Sequence, residues 1–272
     1  MRFEIAHTTR YRYSAPIREA HTEVRLRPSD EMGQRVLRHR LEVRPEATVG
    51  AYSDGFGNRV QYFDLLPPHD HLEIVSRAAV ETGVQQATHP PDIFPHDLLL
   101  FRPPVVQGPA LRRIAARLGS FDASAPAEVE AAADRLRELI ARSFTYSPAS
   151  TTVTTATDEV VRLKRGVCQD FAHLVIAVSR MLGLPARYVS GYVYSGSGEP
   201  TLGASHAWAD ILVPEKGWLP FDATHSGLAS DRYVRLAVGR DYRDAAPTRG
   251  VFVGSARSDM EIKVETRPLG GG

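Results

Sequence analysis

The chain has 272 residues, 43% of them hydrophobic and 24% charged, with a formal net charge of +1. That length is enough for one large or two ordinary domains, and the near-neutral balance gives no reason to expect nucleic acid or an anionic membrane as partner. The single cysteine excludes an intramolecular disulfide and any cysteine-rich metal centre, and no apolar run approaches transmembrane length.

Met1 to His7 is charged where a signal peptide would be apolar, so the expected location is cytoplasmic. Residues 1 to about 86 read as short strands: Phe3, Ile5, Tyr11 and Tyr13 alternate with polar neighbours, as do Val24 and Leu26. Turn-forming clusters such as Ser53-Asp-Gly-Phe-Gly-Asn58 separate them. An antiparallel, sandwich-like β domain over 1–90 is expected. His7, His21 and His39 match no metal-ligand spacing and are expected at the surface or a sheet edge.

A Pro-rich stretch over 91–109 is a linker, although Leu98 to Phe101 is too apolar to be free of both domains. Helices follow. Leu111, Ile114, Ala115 and Leu118 form an amphipathic stretch ended by Gly119, and Ala127 to Ser143 forms a second after Pro126. Thr157-Asp-Glu159 is placed to cap a short helix from Val160 to Lys164. In Cys168 to Leu182, Phe171, Leu174, Val175, Val178, Met181 and Leu182 repeat at helical spacing until Gly183-Leu-Pro185 stops the run. Strands return at Ala186–Tyr194, Ser205–Val213, Trp218–Phe221, Tyr233–Val238 and Met260–Thr266, so the class is α+β with a second unit over 110–268.

Cys168 starts the central helix, where the positive end of the helix dipole favours a thiolate. His206 opens a strand, and Pro214 to Gly217 turns it into a partner that ends at Asp222. Antiparallel pairing brings the start of one strand beside the end of the other, so Asp222 is expected to orient His206. A thiol, an imidazole and an orienting carboxylate are the parts of a nucleophilic triad.

The segments Gly166-Val-Cys-Gln-Asp-Phe-Ala-His173, Gly183-Leu-Pro-Ala-Arg-Tyr-Val-Ser-Gly-Tyr192, Ser205-His-Ala-Trp208 and Trp218-Leu-Pro-Phe-Asp222 resemble the bacterial transglutaminase-like family. The resemblance covers roughly 110–265, and His7-Thr-Thr-Arg-Tyr-Arg-Tyr-Ser14 looks like the start of the β-rich domain that often precedes this core. It implies a papain-like core over 110–268, a central helix on an antiparallel sheet, with catalytic roles for Cys168, His206 and Asp222. The backbone N–H of Cys168 is a natural oxyanion donor. By resemblance the second is an upstream aromatic, for which Tyr146 is the candidate. Gln169 and Trp208 are further cleft candidates, Trp208 being weighed also as core. His173 is expected to pack internally, and His225 to sit in a turn near the cleft.

The implied activity is acyl transfer from a peptide or protein amide through a thioester, with no cofactor. A cysteine peptidase or amidase of the same fold, and a non-catalytic peptide-binding module, stay open. A zinc hydrolase is disfavoured because no H-E-x-x-H spacing occurs. No feature predicts a homo-oligomer, and none excludes one.

Overall fold

The structure is a computed structural model that describes residues 1–84, 95–196, 201–203, 205–225 and 230–269. Six strands come first: β1 (Arg2–Ile17), β2 (Glu19–Val24), β3 (Gln34–Arg44), β4 (Gly50–Ser53), β5 (Arg59–Leu65) and β6 (His69–Thr82). Their two-residue alternation builds the core. Phe3 and Ile5 of β1, Ala20 and Val24 of β2, Phe63 and Leu65 of β5, and Ile74 and Val80 of β6 meet in one apolar cluster. His7, expected at the surface, is instead fully buried on the inward face of β1, with Thr9 two residues on. Its Nδ1 lies 2.8 Å from the Tyr192 hydroxyl and its Nε2 3.0 Å from Thr9 Oγ1, so both ring nitrogens have partners. Burial pushes the imidazole down to about 4, which keeps it neutral.

Residues 85–94, which include the first four of the Pro-rich stretch, lie outside the described residues. Beyond them Leu98 and Val105 are fully buried, as the apolar interruption required. The helices are α1 (Pro109–Arg117), α2 (Pro126–Ser143), α3 (Thr157–Leu163) and α4 (Cys168–Met181), with the short strands β7 (Thr145–Tyr146) and β8 (Arg165–Gly166) between them. Thr157 does not cap α3 from outside. It is the first residue of the helix, and its buried hydroxyl donates to Val106 O at 2.9 Å while accepting Val106 N–H at 3.0 Å. The helix is thereby fastened to the incoming linker.

The remaining elements are β9 (Ala186–Val193), β10 (Thr201–Gly203), β11 (His206–Val213), β12 (Gly217–Phe221), β13 (Tyr233–Gly239), α5 (Tyr242–Ala245), β14 (Thr248–Val253) and β15 (Ser258–Pro268). The central sheet runs β12-β11-β9-β13. One face of β11, formed by Ala207, Ala209, Ile211 and Val213, joins Phe171, Leu174, Val175 and Val178 of α4 in one core. The small alanines let the helix sit close to the strand. Farther along the same sheet, Tyr192, Tyr194, Val234 and Leu236 join the core of the N-terminal strands.

The chain then returns to its beginning. β15 pairs with β1 from Phe3↔Pro268 to Tyr13↔Ser258, and β14 pairs with β2. The N-terminal half is thus two sheets, β10-β15-β1-β6-β3 and β14-β2-β5-β4, completed by strands from the far end of the sequence. β14 was not legible as a strand, and β15 was legible without its partner. Among the described residues no helix is long and apolar enough to cross a membrane.

Candidate active site

The start of α4 is fixed by its own third residue. Asp170 Oδ2 accepts the Val167 N–H at 2.8 Å and the Thr151 hydroxyl at 2.6 Å. A Cβ on Gly166 would fall 2.8 Å from both Asp170 Cβ and Oδ2, so the chain enters the helix on a residue without a side chain. Burial pushes the Asp170 carboxyl up, against the pull of Thr151 and Val167. This carboxylate is therefore occupied in holding the helix start. Cys168, half-buried, is the first helical residue, where backbone N–H groups have no partner one turn back.

The hairpin forms as its turn chemistry dictates. Gly217 takes φ +80°, and β11 pairs with β12 from Val213↔Gly217 to Ala209↔Phe221. Continuing one step past Phe221 brings Asp222 to the mouth of β11, where its Oδ2 lies 2.7 Å from His206 Nε2. The pair is nearly dry, with His206 9% and Asp222 8% exposed. Thr224 N–H donates to Asp222 Oδ1 at 2.8 Å and the Tyr233 hydroxyl to Oδ2 at 2.9 Å. Burial works against ionisation of Asp222, but His206, Thr224 and Tyr233 together hold its carboxyl below the usual range.

Cys168 is among the groups that shift the ionisation of both His206 and Tyr146, so its thiol lies near the two side chains. Since Asp222 takes Nε2, Nδ1 is the ring nitrogen left for the thiol. Burial alone would lower the His206 imidazole; the bonds and charges of Asp222 and Cys168 outweigh it and raise it to about 9. The three triad candidates are thus brought together. Tyr146 arrives through the pairing Tyr146↔Gly166 of β7 with β8 and is half exposed at 51%. Burial first, then Cys168, pushes its phenol up.

Trp208 is 1% exposed, and its ring stacks on His206 at 6.1 Å between centroids with 27° between planes. It is both core and cover for the imidazole. A Cβ on Gly191, the register partner of His206, would lie 2.6 Å from Trp208 Cη2, so the indole needs that glycine. Gln169 is half-buried beside Cys168. His173 is away from the chemistry, fully enclosed, its Nε2 accepting Tyr242 N–H at 3.1 Å.

Some functional groups escaped the sequence. Tyr233 is one, because its contact with Asp222 depends on β13 lying beside β9. Another is a buried cluster below the indoles. Asp210 Oδ2 accepts Arg187 Nε at 3.0 Å, and both Asp210 oxygens accept the Arg235 guanidinium at 2.7 Å. The Arg187 guanidinium sits over Trp218 at 4.5 Å and that of Arg235 over Trp208 at 5.4 Å. His225 is exposed, with its ring 4.9 Å from that of His206.

Residues 3–81 match the family described as the bacterial transglutaminase-like N-terminal region, and 115–223 match the transglutaminase-like superfamily. An uncharacterized protein of Mycobacterium leprae is 34% identical over 287 residues, spanning 98% of this chain and 99% of that protein. A protein-glutamine gamma-glutamyltransferase of Pseudomonas aeruginosa is 31% identical over 90 residues, 30% of this chain and 13% of that protein. The crystal structure of a proposed cysteine protease from Cytophaga hutchinsonii superposes with a TM-score of 0.79 at 22% identity, covering 100% of this chain and 92% of that one. With matched segments in both halves and a full-length relative, the chain belongs to the bacterial transglutaminase-like family.

Proposed function

We propose that this protein is a cysteine-dependent acyl-transfer enzyme that attacks a carboxamide of a peptide or protein. The observation that supports the reading is His206 bonded to Asp222 at 2.7 Å, with Cys168 among the groups that raise its imidazole to about 9. A protonated imidazole at neutral pH is the counter-ion a nucleophilic thiolate needs.

In this reading Cys168 Sγ adds to the amide carbonyl carbon, and the C–O π pair moves to oxygen. The Cys168 backbone N–H and the Tyr146 hydroxyl face the resulting oxyanion. The tetrahedral adduct collapses, the C–N bond breaks, and His206 gives its Nδ1 proton to the leaving amine or ammonia. A thioester remains. Neutral His206 then takes a proton from water or an incoming amine, which attacks the thioester carbon; the C–S bond breaks and the thiolate–imidazolium pair is restored. Asp222 keeps the ring oriented and balances its charge throughout, with Tyr233 and Thr224 fixing the carboxylate.

Incubation with a glutamine-containing peptide library, with and without a primary amine, followed by mass spectrometry, tests this. Amine incorporation identifies a transferase, a gain of one mass unit a deamidase, and chain scission a peptidase. No product from a folded protein would leave the peptide-binding reading in its place.

A further inference from the structure

We propose that His206, Asp222 and His225 form an inhibitory binding site for a zinc-type dication at the back of the catalytic pair. A ligand atom from each of these residues lies within 4.8 Å of the others. Two imidazole nitrogens and one carboxylate oxygen are a zinc donor set that leaves a fourth position for water. Bonds of about 2.0–2.2 Å to such donors require His225 to swing inward. Its exposed position permits this, whereas His206 and Asp222 are held by their surroundings.

The site is reachable. A cavity of about 580 Å³ borders it, lined by Asp222, His225, Tyr233 and Trp208. The arginines that also line this cavity, Arg137 and Arg235, are paired with Asp134 and Asp210. Arg137 is matched by one carboxylate, while Arg235 shares Asp210 with Arg187 and leaves one positive charge over in that cluster.

The consequence for the reaction rests on the acyl-transfer reading above. A metal on Nε2 replaces the proton that His206 shares with Asp222. The ring could then release its Nδ1 proton only by becoming an imidazolate, so the leaving amine receives no proton. Cys168 takes no part in this binding. The site thus differs from a metal clamped between the thiol and Nδ1.

The two arrangements separate experimentally. Co2+ titrated into the Cys168→Ala protein is expected to bind with one equivalent and a visible d–d spectrum, and Zn2+ is expected to displace it. In the same background His225→Gln, at an exposed position, should weaken binding by at least the roughly 10–100-fold that loss of even an outer-shell partner costs. Loss of binding in Cys168→Ala, or unchanged affinity with His225→Gln, overturns the proposal. In the wild-type enzyme Zn2+ should inhibit amide turnover reversibly, and His225→Gln should resist it. Inhibition that persists undiminished in His225→Gln also overturns the site. The Co2+ measurements need no turnover, so a wild-type protein without activity would defeat the acyl-transfer reading and leave the metal result standing.

Discussion

Tyr233 and His206 share one oxygen of Asp222: the phenol donates to Oδ2 at 2.9 Å and the imidazole Nε2 to the same atom at 2.7 Å. The other oxygen is held by Thr224 N–H at 2.8 Å. A buried carboxylate with all of its bonds accounted for has one orientation, and so has the ring it holds. Tyr233 also packs edge-on against Trp208 at 5.1 Å, so the indole over His206 and the phenol behind Asp222 brace each other.

Tyr233→Phe keeps that packing and removes one donor. A hydrogen bond to a charged group is worth about 1.5–3 kcal/mol. If half of that is expressed in the transition state, kcat falls by roughly 4- to 13-fold. KM should stay unchanged, because the phenol acts through Asp222 and not on substrate. Steady-state kinetics that show a raised KM at constant kcat would assign Tyr233 to substrate binding instead.

The raised imidazole makes a second prediction, in pH. His206 sits above its usual 6.5, at about 9. Its contribution to stability is therefore complete below about 6.5 and is lost as pH rises through about 9. The reactive thiolate–imidazolium pair disappears over the same upper range. In Asp222→Ala burial, the largest influence and a lowering one, is opposed by Cys168 alone, so the imidazole should lose its proton at a lower pH. Alkylation of Cys168 by iodoacetamide as a function of pH, alongside NMR titration of His206, reads both. An imidazole titrating near 6.5 in the wild-type protein would remove the ion pair from the mechanism.

The sequence was most informative where partners are close along the chain. Cys168 at a helix start, and His206 beside Asp222, follow from apolar periodicity that begins just after Gly166 and from a tight turn, both local devices. His7 and Tyr233 were opaque for one shared reason: each is satisfied by a residue on a strand brought in by sheet order. His7, expected at the surface or a sheet edge, meets Tyr192 across 185 positions, a partner that no local pattern announces. β15 shows the same limit at the scale of a whole strand, since its pattern says strand and nothing in it says β1. Nothing in the sequence singles out Asp210 and its two arginines, because a charged residue on a strand ordinarily faces solvent.

Asp210 makes a third prediction. It is fully buried between Arg187 and Arg235, themselves 4% and 7% exposed. Burial disfavours its charge, and the two guanidinium groups overcome that to hold the carboxyl below its usual range. Asp210→Ala strands two cations beneath Trp208 and Trp218, a loss of the kind that costs about 3–5 kcal/mol. Urea denaturation is expected to show it. A change below about 0.5 kcal/mol, the scale of surface substitutions, would mean that water reaches both guanidinium groups.

Gly166 gives the last prediction, because stability and reactivity meet there. A methyl at this position would press on Asp170 Cβ and Oδ2 at 2.8 Å, and the atoms it meets belong to the side chain that closes the α4 start. Asp170 has little room to yield, being 1% exposed and bound to both Val167 N–H and Thr151. Gly166→Ala should therefore cost about 1–3 kcal/mol, the range for overpacking, or roughly 2–4 °C in Tm per kcal/mol for a chain of this size. Displacement of Val167 also moves Cys168, the next residue, relative to His206. Catalysis tolerates little of that, since a misplacement of about 1 Å can cost 10²-fold in rate. Gly166→Ala is thus expected to lose more activity than its remaining folded fraction explains, measured well below its Tm. Thr151→Val, which removes one bond to Asp170 without touching the backbone, should be milder in both respects. Equal loss in the two variants would mean that the threonine bond, and not the glycine, sets the position of the nucleophile.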